Sequence, residues 1–353
     1  VQWQIDLQLE AVQQAAIAAG MPIGLYHDLA LATDRCGADL WSYREYFIRG
    51  CRVGAPPDDF SPEGQDWAFP PPNTQRHRAQ AYQLFVESIR KNARHGGALR
   101  IDHVMRFFRL YWIPEGMSAK QGTYVHEPWR DLLGILALES VRGRFLIVGE
   151  DLGTVPSELR EAMERFGMLS YRLFYFEKDA EGRPKPPSSY PRHALVSSTT
   201  HDLPTLAGFW AGRDLKARFE AGVIPDEESY HALRARRRTE KLNMVEGLIR
   251  DGFLPPDYPR EAADWTELTG ELHNAIIGYM VSTPSMLMLL NEEDLTKELD
   301  QQNLPGTTWQ YPNWRRKMMF SLEDLDALPR ALDFASMFRA WLEKTGRANA
   351  SPR

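Results

Sequence analysis

Ala98-Leu99-Arg100-Ile101-Asp102-His103-Val104-Met105-Arg106 reads as a short apolar strand that ends in a carboxylate flanked by cations. An arginine two residues before a carboxylate favours its ionised form. Two other stretches repeat the pattern. Ile147-Val148-Gly149-Glu150-Asp151-Leu152-Gly153 follows Phe145-Leu146, and Thr199-Thr200-His201-Asp202 follows Ala194-Leu195-Val196. Glu150 lies 48 residues beyond Asp102, and Asp202 a further 52. Such spacings suit strand-end groups separated by loops and helices in a β/α barrel, whose functional residues gather at the C-terminal face.

Outward from these stretches, strand-like and helix-like segments alternate. The pattern predicts helices over 3–19, 75–95, 130–142, 156–166 and 328–344. It predicts strands at 22–26, 98–101, 144–148, 169–176, 194–199 and 284–290. Strands alternating with helices imply a parallel sheet with crossover connections. Two connections are too long for plain crossovers. Residues 36–75 have little apolar periodicity and many turn residues, and a loop of that length is usually functional. Residues 203–282 read as a mostly helical insertion. Within them, Arg234-Ala235-Arg236-Arg237-Arg238-Thr239-Glu240-Lys241 reads as a solvated helix face carrying both signs.

Composition bounds the rest. A net charge of −6 argues against a broad basic face and against nucleic acid as a partner. Only two cysteines are present, Cys36 and Cys51, with no Cys-x-x-Cys and no Cys/His cluster, so neither a metal site nor a disulfide framework is expected. A reducing, cytoplasmic compartment is the default. No apolar run reaches the length of a membrane span. The chain begins at Val1 rather than Met, so a targeting segment upstream stays open.

Three carboxylates at strand ends point to acid–base and covalent chemistry on a neutral substrate. One ionised and one protonated carboxyl group are the minimum machinery for glycoside cleavage. Asp102, beside Arg100, suits the nucleophile. Glu150 follows an apolar run, where desolvation raises a carboxyl toward a general acid's range, and like charge from Asp151 is expected to push the same way. The bland alternative for each is a helix cap or an arginine pair. His103 and His201 stand beside two of the carboxylates, which weakens that alternative for the three together. His27-Asp28 repeats the strand-end theme earlier in the chain. In the long loop, Gly54-Ala55-Pro56-Pro57-Asp58-Asp59-Phe60-Ser61-Pro62-Glu63-Gly64-Gln65-Asp66-Trp67 combines restricted backbone with two aromatic faces. Aromatic platforms beside polar groups suit sugars, though a rigid surface loop reads equally well. Phe107-Phe108-Arg109-Leu110-Tyr111-Trp112 reads as core or rim packing. Pro305–Arg315 reads as a turn-rich loop after the last strand.

Taken together these residues resemble the 4-α-glucanotransferases of glycoside hydrolase family 77, relatives of the α-amylases. The resemblance rests on Gly-Ala-Pro-Pro-Asp at 54–58 with Gly64-Gln65, Arg100-Ile101-Asp102-His103, Gly149-Glu150-Asp151-Leu152-Gly153, Thr200-His201-Asp202, and Pro305-Gly306-Thr307 with Asn313-Trp314. It implies an α/β fold: a (β/α)8 TIM-type barrel of the amylase superfamily, incomplete here, with a long lid loop at 36–75 and the helical insertion at 203–282. The six strands would be barrel strands three to eight, making residues 1–353 the C-terminal portion of a catalytic barrel. Expressed alone, that portion would be aggregation-prone and inactive.

The resemblance further implies Asp102 as nucleophile, Glu150 as acid/base, and Asp202 as a third carboxylate that binds sugar hydroxyls. Arg100 would hold the nucleophile. His201, His103, Asp28, and Asp58 and Phe60 of the lid would contact substrate. Leu29-Ala30 replace the Asn-His pair that amylases place after the residue matching Asp28. The implied activity is transfer of α-1,4-glucan segments between malto-oligosaccharides with retention, without metal or organic cofactor. An α-glucan hydrolase and a catalytically silent glucan-binding protein are the alternatives.

Overall fold

The computed structural model describes residues 1–57, 63–153 and 155–349. Contacts divide the chain into two compact units, Val1–Tyr171 and Arg172–Arg353.

The first unit opens with helix α1 (Gln2–Ala18) and strand β1 (Tyr26–Leu29). The strand begins four residues later than the sequence reading placed it. Gly24 turns with φ +67°, and the Gln13 side chain of α1 takes the Leu25 N–H at 2.7 Å, so 22–25 is a tethered turn. Strand pairing begins at Tyr26, opposite Ala98. The expected structureless loop also carries regular structure. It holds helix α2 (Ala38–Ser42) and strands β2 (Cys51–Ala55) and β3 (Gln65–Asp66).

The expected helix 75–95 is broken. α3 (Thr74–Ala79) and α4 (Gln83–Ala93) are separated by a turn in which Ala81 and Tyr82 have φ +48° and +57°. The Tyr82 hydroxyl donates to Asp131 Oδ2 at 2.7 Å from this turn. β4 (Ala98–Ile101) follows, wholly buried. The aromatic run expected to be mere packing, Phe107–Trp112, runs into β5 (Arg109–Pro114), which is followed by β6 (Thr123–His126). β5 and β6 join β2 and β3 in a four-stranded antiparallel sheet, order β3-β2-β5-β6. Gly54 sets its spacing: a Cβ there would lie 2.0 Å from Gln65 O. Helices α5 (Trp129–Gly143) and α6 (Ser157–Arg165) flank β7 (Leu146–Gly149) and lead to β8 (Leu169–Leu173).

β1, β4, β7 and β8 pair in that order, all parallel. Parallel sheets are buried on both faces, which is why the central strands β4 and β7 read as apolar runs. Their core joins Leu99, Ile101 and Ile147 to Phe85 and Ile89 of α4, Leu133 and Leu136 of α5, and Leu159 and Met163 of α6.

In the second unit β9 (Ala194–Ser197) is followed by helices α7 (Leu206–Ala211), α8 (Arg213–Glu220), α9 (Glu227–Arg250) and α10 (Gly270–Val281). β10 (Leu287–Leu289) pairs parallel with β9. It is shorter than the 284–290 expected. α11 (Glu292–Thr296), α12 (Leu322–Ala327) and α13 (Pro329–Lys344) complete the unit. Its core is built from Phe174, Val196, Trp210, Leu248, Ile276, Tyr279 and their neighbours.

The basic run on α9 is not wholly solvated. Arg237 forks onto Asp214 with two bonds of 2.8 Å, and Lys241 donates to Trp210 O and Trp265 O. These residues are four apart, so they share the helix face turned to the core.

Candidate active site

Asp102 and Glu150 are each the first residue past a strand. β4 and β7 are in register with Ile101 opposite Gly149, so the two carboxylates leave adjacent strands at the same level. The backbone locks them there. The Glu150 N–H donates to Ile101 O at 3.0 Å, and Val104 N–H returns to Glu150 O at 3.0 Å.

Arg100 sits directly opposite Asp28 on β1 and is only 8% exposed. Its Nη1 reaches both Asp28 oxygens at 2.7 Å, and its Nη2 donates to Asp102 Oδ1 at 2.8 Å. One guanidinium thus bridges two carboxylates, an arrangement that fixes their orientation. Burial works against the Arg100 charge, but Asp28 and Asp102 outweigh it and hold the group above its ordinary range. Asp28 lies within β1, one residue before its end. The neighbouring His27 turns to His95 O at 2.8 Å, away from this group.

Glu150 accepts two backbone N–H groups, His103 at Oε2 (2.9 Å) and Leu152 at Oε1 (2.7 Å). Those bonds favour the anion, yet burial dominates and pushes the carboxyl up to about 7. The like charge adding to the shift is that of Asp102. The expectation that Asp151 would supply it is corrected: Asp151 turns inward, where Arg160 Nε, the Ser170 hydroxyl and the Tyr171 N–H hold it.

His103 adopts φ +47°, the left-handed region that side chains rarely take, and this aims its N–H at Glu150. Burial lowers its imidazole to about 4, so the ring is neutral near pH 7. Trp67 packs edge-on against it, ring centres 5.5 Å apart, bringing the β3 end of the expected lid to the carboxylates. Asp58 and Phe60, the other lid candidates, lie outside the described residues.

In the second unit His201 Nε2 lies 3.3 Å from Asp202 Oδ2. Asn303 Nδ2 donates to Asp202 Oδ1 at 2.6 Å, and Asn303 N–H to His201 O at 3.1 Å. Trp314, 63% exposed and held at φ +58°, tilts against the His201 ring with centres 5.0 Å apart.

A family model described as 4-alpha-glucanotransferase, glycoside hydrolase family 77, matches residues 1–322. The chain belongs to that family. It is 39% identical over 321 residues to a 4-alpha-glucanotransferase of Haemophilus influenzae, covering 90% of this chain and 45% of the relative. To a 4-alpha-glucanotransferase of Mycobacterium tuberculosis it is 38% identical over 354 residues, covering 96% and 47%. Amylomaltase from Corynebacterium glutamicum superposes with a TM-score of 0.88 at 31% identity, over 96% of this chain and 49% of that one. Amylomaltase from Streptococcus agalactiae in complex with acarbose shares the fold, with a TM-score of 0.65 at 18% identity. The family 77 chain thus spans about half the length of the relatives it matches. Its fold class is α/β, matching part of the TIM-type barrel of amylomaltase.

Sequence reading did not single out Asn303, Gln301 or Asp294 of this family 77 chain. Asn303 lies two residues before the quoted Pro305-Gly306-Thr307, so its place was close to hand. Asp294 sits in the acidic run Glu292-Glu293-Asp294, which reads as an ordinary first helical turn. Among the described residues no cluster of His, Cys, Asp and Glu could hold a metal ion, and no helix is long and apolar enough to cross a membrane.

Proposed function

We propose that the protein carrying this chain is a 4-α-glucanotransferase that moves α-1,4-glucan segments between malto-oligosaccharides with retention of configuration. The observation that carries the reading is the unequal pair at the ends of β4 and β7. Asp102 is gripped by Arg100, while burial keeps Glu150 half protonated near neutrality. Retaining glycoside chemistry asks for such a difference.

In the first step an Asp102 oxygen attacks the anomeric carbon of the donor. The bond from that carbon to the departing O4 breaks, and the proton of Glu150 passes to that oxygen. In the second, the 4-hydroxyl of an acceptor glucan attacks the same carbon. Its proton passes to Glu150, and the bond to Asp102 breaks. Each step displaces at one carbon, so configuration is inverted twice and retained. Asp202 and His201 match by position the family's hydroxyl-binding carboxylate and histidine, and Asn303 and Trp314 flank them. Arg100 is assigned to orienting Asp102, and His103 contributes its N–H to Glu150. Asp28 contacts substrate or, through Arg100, braces the nucleophile. Asp58 and Phe60 belong to this proposal by sequence match alone.

The test is incubation of the protein, as encoded by its gene, with maltotriose and chromatography of the products. A ladder of longer oligosaccharides together with glucose supports transfer. Glucose and maltose alone make the protein a hydrolase, and binding without turnover makes it a silent glucan binder.

A further inference from the structure

Beneath the His201-Asp202 segment lies a buried carboxylate that the reaction above does not use. Asp294, on α11, is 1% exposed. Its Oδ2 accepts the Ser198 hydroxyl and Asn291 Nδ2, the latter at 3.3 Å, and its Oδ1 accepts the Leu206 N–H at 3.3 Å. Ser198 is the first residue past β9, and Leu206 is the first of α7. The residues between them, 199–205, carry His201 and Asp202. One carboxylate therefore ties both roots of that segment.

The chain that follows Asp294 braces the segment higher up. The Thr205 hydroxyl donates to Glu298 O at 2.5 Å, Gln301 Nε2 reaches Asp202 O at 3.4 Å, and Asn303 holds the Asp202 carboxylate itself. Asn291 Nδ2 also donates to Ser198 Oγ at 2.8 Å, which leaves that hydroxyl's proton for Asp294. A carboxylate so deeply buried is costly unless its bonds are well made. An apolar side chain would fill the space without that cost, but it could not accept from two roots at once.

We propose that Asp294 is a positioning residue for the transfer reaction: by joining Ser198 to Leu206 it holds Asp202 where the reacting sugar requires it. The inference rests on the reading of Asp202 as the third carboxylate.

The test is a double-mutant cycle in the protein as encoded, with an activated glycosyl fluoride donor so that slow variants remain measurable. Misplacement of a reacting group by about 1 Å can cost up to about 100-fold. Asp294→Ala should accordingly lower kcat by about 10- to 100-fold, with KM for the acceptor changed by less than about 3-fold. In the Asp202→Asn background the same substitution should cost less than about 2-fold, because there is no longer a carboxylate to misplace. Asp294→Asn keeps an acceptor for the Leu206 N–H but turns an NH2 toward Ser198 and Asn291. It should give an intermediate loss with the same non-additivity, and it carries the cycle if the alanine variant fails to fold. Equal loss in both backgrounds makes Asp294 a purely structural residue and overturns the inference alone. A wild type without glucan transfer overturns the functional reading and the inference with it.

Discussion

At the scale of the residue, two neighbouring carboxyl groups differ: burial keeps Glu150 partly protonated near neutrality, and the Asp102 carboxylate faces Arg100. Burial raises Glu150 to about 7, so the acid form needed for sugar departure is lost as pH rises through that value. With malto-oligosaccharide donors, kcat/KM should therefore fall about tenfold per pH unit well above 7. Glu150→Gln should reduce this activity by about 10²- to 10⁴-fold, and by far less on an α-glycosyl fluoride, whose departure needs little protonation. Equal loss on both donors would show that Glu150 is not the acid. Sequence alone set Asp102 and Glu150 just past apolar strand runs and Arg100 within one, which is where β4 and β7 carry them. It misassigned the like charge on Glu150, because adjacency in sequence says nothing about direction at a strand end. Asp151 faces the other way, into Arg160, while Asp102 comes from the neighbouring strand.

At the scale of the element, the parallel strands were legible and the antiparallel sheet was not. β4 was read to the residue because its four positions are all buried and Gly96-Gly97 precede it. β1 was misplaced by the apolar Met21–Leu25, whose backbone is tied by Gln13 instead of a strand. β2, β3, β5 and β6 are short and only partly buried, so neither strict alternation nor a continuous apolar run marks them. That sheet supports Trp67, whose backbone N–H donates to Val53 O at 3.0 Å and whose ring meets His103. Gly54→Ala places a methyl 2.0 Å from Gln65 O and 2.7 Å from Ile113 Cδ1. Backbone clashes of this kind belong to the strongly destabilising class, so a loss of about 2 kcal/mol or more is expected from urea midpoints. A variant with the wild-type midpoint would mean that β2 and β3 do not approach as described.

At the scale of the whole molecule, buried acids should shape the dependence of stability on pH. Glu127 is 8% exposed, accepts the Thr74 hydroxyl at 2.6 Å, and is pushed by burial up to about 7. Its folded value lies above the ordinary carboxylate range, so the native state binds the extra proton. Its contribution to stability is full below about 4.5 and is lost as pH rises toward 7. The loss is on the order of 3 kcal/mol. Glu150 acts in the same sense, while His103 and His273, each lowered by burial to about 4, act oppositely between about 4 and 6.5. Comparison of wild type with Glu127→Gln isolates one group: the variant should gain on wild type by about 2–3 kcal/mol between pH 5 and pH 8. An unchanged difference at the two pH values would mean that Glu127 ionises as it does in the unfolded chain. The most direct test of Asp102 as nucleophile is covalent. Glu150→Gln, given an α-glycosyl fluoride and no acceptor, should form the glycosyl-enzyme without acid help and then stall, because no base remains to activate water or a sugar hydroxyl. Mass spectrometry of the digested protein should find one glycosyl group, carried by Asp102. A glycosyl group on another residue, or turnover of the fluoride unchanged by Asp102→Asn, would contradict the account.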